Sequence, residues 1–135
     1  MEIKFKAVRL DCIELGDVLL MDFESKNDGY ANIRFFTSDK KYFYETTYNI
    51  GDDDIKILQY TGIKDVDGIE IYEGYIVECD DFLGVVEYRE NAGVYVIGNK
   101  QLNKCIAFMD VFMNKAKVKV IGNIYENPDL LKLHN

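Results

Sequence analysis

The residues best suited to chemistry cluster mid-chain, in the stretch QYTGIKDVDGIEIYEGYIV that runs from Gln59 to Val77. Asp65-Val66-Asp67-Gly68 looks like the front of a calcium loop, where alternating oxygen ligands wrap a hard cation. Such a loop needs ligands at positions 1, 3 and 5, glycine at 6 and glutamate at 12. Placing Gly68 sixth puts Ile63 first and Gly74 twelfth, and neither supplies a carboxylate. The spacing instead predicts a hairpin turn, with Gly68 at positive φ. Gly62, Gly68 and Gly74 are six apart, which makes neither a dinucleotide fingerprint nor a phosphate cradle.

Other catalytic constellations fare no better. His134 is the single histidine and is the penultimate residue, where no packing would hold an imidazole for a nucleophile or a zinc ion. Asp52, Asp53, Asp54, Asp80, Asp81 and Glu87 are the carboxylates that would have to converge on a magnesium ion. Acidic turns on a solvated face are far commoner than such a site, and these residues are read as turns. Cys12, Cys79 and Cys105 are an odd set with no CxxC pair, so no disulfide framework is expected and a reducing cytoplasm is. Cys79 and Cys105 sit in apolar surroundings and read as small buried hydrophobes. No catalytic, cofactor-binding or metal-binding residue is therefore assigned. The ten tyrosines remain. They are expected mostly at the core edge with a wet hydroxyl, whereas an exposed tyrosine patch would mark a protein interface.

The elements that would position these residues are strands. Met1, Ile3, Phe5 and Ala7 alternate with Glu2, Lys4, Lys6 and Val8, the period-two pattern of a half-buried strand. Val18–Phe23, Ala31–Thr37, Tyr42–Tyr48, Ile55–Tyr60 and Lys117–Ile121 predict further strands. Ser25–Gly29 predicts a turn between them. Tyr75–Cys79, Leu83–Tyr88 and Val94–Ile97 predict a meander turned at Asp80-Asp81 and Glu90–Gly93. Cys105–Met113 fits helix or strand. Asn127-Pro128-Asp129 predicts a short closing helix, with Asn as its cap. One domain over 1–135 is expected, with a subdomain boundary near 49–54, where Asp52–Asp54 favour solvent.

Composition bounds the partners. The net charge is −8, with twelve acidic against three basic side chains in residues 51–90. An acidic centre argues against general nucleic-acid binding, which needs clustered Lys and Arg. No apolar run is long enough to span a membrane and no secretion signal opens the chain, so a cytoplasmic protein is expected.

The blocks YTGIKDVDGIEIYEGYIVECDD, GVVEYRENAGVYVIG and VIGNIYENPDLL, with MEIKFKAVRL at the start, resemble the YopX family of phage and prophage proteins. Tyr60, Thr61, Gly62, Lys64, Asp65, Gly68, Glu70, Ile71, Tyr72, Glu73, Gly74, Ile76 and Val77 keep its pattern. Tyr75 stands where the family commonly has Asp, and Val8 where it commonly has Trp. The resemblance implies a small, mainly β protein of unassigned activity, with no catalytic residues to carry over. Together with the meander it implies a barrel-like antiparallel domain, SH3-like in its C-terminal part, with one or two short helices. Three functional readings follow. The first is a non-enzymatic protein-binding or self-assembling module, expected as a homo-oligomer or with a host or phage protein. The second is a single-strand nucleic-acid binder or acidic DNA mimic. The third is a carboxylate-dependent metalloenzyme.

Overall fold

A computed structural model describes residues 3–22, 30–37, 39–49, 55–108 and 117–134. Their strands are β1 Phe5–Arg9, β2 Glu14–Asp22, β3 Tyr30–Thr37, β4 Phe43–Asn49, β5 Ile55–Lys64 and β6 Glu70–Tyr72. Then follow β7 Tyr75–Cys79, β8 Phe82–Arg89, β9 Val94–Asn99, β10 Lys104–Ala107 and β11 Val118–Asn123. The chain divides into two compact units between Gln59 and Tyr60, within β5. Of the boundary expected near 49–54, residues 50–54 lie outside the described residues.

The first unit is an antiparallel sheet of order β4-β3-β2-β1-β5. One face gathers Ala7, Ile33, Phe35 and Ile55, all fully buried, with Val18, Met21, Tyr44 and Ile57 packed against them. Val18 and Met21 are three apart, which strict alternation forbids. A bulge between Val18 and Leu20 in the β2–β3 register resolves this. It turns Leu19 and Leu20 outward together and returns Met21 to the core. In β1, alternation also fails at the core, where Ala7 and Val8 are both buried.

In the second unit the far half of β5 pairs with β6, Tyr60 opposite Tyr72 and Lys64 opposite Glu70. The other sheet has order β10-β9-β8-β7-β11, all antiparallel, and contains the expected meander. Ile76, Leu83 and Val85 form a cluster on it, covered by Ile124, Leu130 and Leu131. The fold is thus mainly β, as expected, but among the described residues the sheets are open and no barrel closes.

Two local expectations change. The closing helix is a 3₁₀ segment, Pro128–His134. Asn127 does not cap it with its side chain. Its Oδ1 accepts the Asn123 N–H at 3.2 Å, while its backbone carbonyl accepts the Leu130 N–H. Cys105 is exposed rather than buried, because it lies on β10, an edge strand. Residues 23–29 and 109–116, with their expected turn and the rest of Cys105–Met113, lie outside the described residues.

Candidate interaction surface

Asp65 turns out to be the organiser of the glycine-rich stretch. Its Oδ1 accepts the N–H groups of Asp67 and Ile69 at 2.8 and 2.9 Å. Its Oδ2 accepts the Val120 N–H at 2.9 Å, reaching across to β11. Burial pushes the Asp65 carboxyl up, but these three N–H donors, helped by Lys119, outweigh it and hold its pKa below the usual value. Every Asp65 side-chain contact to a donor is thus with protein backbone or a lysine's charge, which is the bonding of a structural clamp. The turn is closed by the Gly68 N–H on the Asp65 carbonyl at 3.0 Å, with Gly68 at φ 83° as expected.

Gly74 has a second geometric role. Its φ is 82°, its N–H donates to Val86 at 2.8 Å, and its carbonyl accepts the Ile124 N–H at 2.9 Å. A Cβ there would lie 3.1 Å from the Tyr125 ring.

The carboxylates considered as metal ligands do not gather among the described residues. Asp80 and Asp81 make the β7–β8 turn, Glu87 is on β8, and Asp52–Asp54 lie outside the described residues. Among the described residues no group of three His, Cys, Asp or Glu side chains is placed to hold a metal ion. The side chain of His134 lies outside them. The Cys79 thiol is pushed up by burial and by Asp80, and Cys12 by burial and its hydrogen bond to Asp11, so neither is primed as a thiolate.

Among the tyrosines whose side chains are described, most are buried or half-buried rather than gathered in a surface patch. Tyr60, Tyr72 and Tyr75 are buried in a run of tilted rings, 5.4 and 5.7 Å between centroids. Tyr44 leans on Phe35, receives Arg9 over its ring at 4.6 Å and donates to Glu14. Of those whose side chains are described, only Tyr42 and Tyr88 are exposed.

The exposed aromatic surface is made by phenylalanine, on the outer face of the first unit. Phe36 on β3 and Phe43 on β4 are cross-strand partners with rings 5.0 Å apart, and both are exposed. Tyr42 precedes them, and Leu19 and Leu20, turned out by the bulge, are on β2 of the same sheet. Arg34 and Glu45, also cross-strand partners, form an ion pair at 2.6 Å. β4 is the edge of this sheet. Sequence reading missed the surface although its signal is present. In Phe35-Phe36 one ring must face in and the next out, and Phe43 stands beside the inward Tyr44.

The family model described as YopX protein matches residues 4–132. The crystal structure of protein EF1440 from Enterococcus faecalis is similar, with a TM-score of 0.59 and 21% identity over 97% of this chain and 99% of that one. That likeness is one of fold. A comparison with curated proteins gave no match. Among the described residues no helix is long and apolar enough to cross a membrane.

Proposed function

The chain belongs to the YopX family, and from that premise we propose that it is a non-enzymatic accessory module of a phage or prophage, which pairs with a second copy of itself through the outer edge of β4. The observation that carries this reading is the character of that edge. Soluble proteins protect edge strands with lysine, proline or extreme shortness, because an unpaired ladder of N–H and C=O groups accepts any extended strand. β4 has seven residues, FYETTYN, with no lysine and no proline. Its one charge, Glu45, is engaged by Arg34. The Phe36–Phe43 pair beside it offers apolar area to whatever docks. A two-fold partner meets both edges at once, since each copy brings the same strand.

Sedimentation over a concentration series tests the reading. The wild-type chain is expected to dimerise, and Phe43→Lys, on the exposed face, to remain folded by circular dichroism while dimerising at least about tenfold more weakly. A chain that stays monomeric to about 1 mM, where even an association of roughly −4 kcal/mol would register, overturns it.

A further inference from the structure

The second unit carries a groove of different character. Its deeper part, about 370 Å³, is bounded by Val85 on β8 and by Ile124, Pro128 and Leu131. That volume lies at the small end of ligand sites, which run from about 300 to 1,000 Å³. A shallower part of about 180 Å³ adjoins it and shares Glu87, Gly98, Asn99 and Lys100. Gly98, opposite Val85, forms the common floor, and a Cβ there would reach 3.3 Å from a Glu87 carboxylate oxygen. The absent side chain is what leaves the passage between the two parts open.

Charge is sorted along the groove. The deep part ends on aliphatic side chains. The shallow part brings Arg89 and Lys100 to the single carboxylate of Glu87, which lies 3.3 Å from Arg89. Two cations against one anion make a small basic island in a chain of net charge −8. The island is held in place. Asn99 Nδ2 donates to the Leu83 carbonyl at 2.8 Å, and its Oδ1 accepts the Leu102 N–H, fixing the turn that carries Lys100 and Lys104. The Lys104 ammonium lies instead over the Phe82 ring at 5.3 Å, on the sheet face opposite Gly98.

We propose that this groove is a binding site for a small amphipathic carboxylate, its head group at Arg89 and Lys100 and its aliphatic tail over Val85, Ile124 and Leu131. Apolar burial supplies affinity and the cations select the sign of the head group. The site is separate from the β4 edge and stands or falls independently of it. The probes are sodium decanoate, decanol and decyltrimethylammonium, titrated into the full chain and followed by amide chemical shifts. Decanoate is expected to bind saturably, with the largest shifts at Val85, Gly98 and Leu131. Lys100→Glu should bind it roughly tenfold or more weakly while binding decanol unchanged. Gly98→Leu, whose fold is checked by circular dichroism, should block both chains. Absence of saturable decanoate binding, equal affinity for decanol, or preference for the cation overturns the proposal.

Discussion

Asp65 illustrates how a single carboxylate can look like a ligand and serve as a clamp. Both its oxygens are committed to backbone donors, and the residue is only 8% exposed. Asp65→Asn puts an amide NH₂ where one of those donors points, leaving a buried N–H without an acceptor. A loss of about 1–3 kcal/mol is expected, read by denaturant titration. Because folding lowers its pKa, the clamp's contribution is complete above the ordinary carboxylate range, near pH 4. It is lost as pH falls through the lower folded-state value, and the Asn variant should lack this acid-dependent part. The two turn glycines separate strain from crowding. Gly68 has open space around it and Gly74 has Tyr125 against it, with both at positive φ. Gly68→Ala should cost about 1 kcal/mol and Gly74→Ala more, and equal costs in thermal melts would remove the role given to Tyr125. The sequence made the turn at Gly68 legible, since Asp-Gly has few other uses. It could not disclose the Asp65–Val120 bond, because no local pattern links positions 55 residues apart.

Strands with clean alternation or β-branched runs were legible at the scale of elements. β7 has the bounds expected of it, and β3, β4, β8 and β9 differ from expectation by one or two residues. The continuation of β5 through Lys64 and the three-residue β6 were not, because Gly62 and the polar Glu70 interrupt the pattern while long-range pairing overrides it. The β2 bulge escaped for a similar reason, since a break in period two reads as noise until the partner strand is known. Its consequence can be measured. Leu19→Ala changes an exposed side chain and should shift stability by no more than about 0.5 kcal/mol. Deleting Leu19 leaves Val18 and Met21 two apart, so strict alternation keeps both on the core face, and it too should cost no more than about 1 kcal/mol. A deletion costing several kcal/mol more than the substitution would show that the bulge itself is needed for the register.

Across the whole molecule, the tyrosines report on high pH rather than on binding. Burial, with Glu73 and Tyr88 alongside, pushes Tyr95 up to about 12, and burial with Glu73 raises Tyr125 as well. Unfolded tyrosine ionises near pH 10. The raised groups therefore hold their protons in the folded chain, and the stability this represents is intact below pH 10 and lost between 10 and about 12. Alkaline unfolding should begin in that interval, and Tyr95→Phe should reduce the pH dependence of stability there. A variant with the wild-type profile would show that Tyr95 is not a group that sets it. Composition announced many tyrosines, but only packing could decide which of them would be buried.

The bond from Asp65 to β11 also has a meaning in time. Val120 leaves the ribosome 55 residues after Asp65. The sequence Tyr60–Val77 can bend into its hairpin early, yet it keeps an uncommitted carboxylate oxygen until the last strand is synthesised. A nascent chain halted before Lys117 should therefore leave the amides of Asp67 and Ile69 open to hydrogen exchange, and release of the full chain should close them. The most family-typical stretch of this protein thus gains its last bond only when its most distant partner strand arrives.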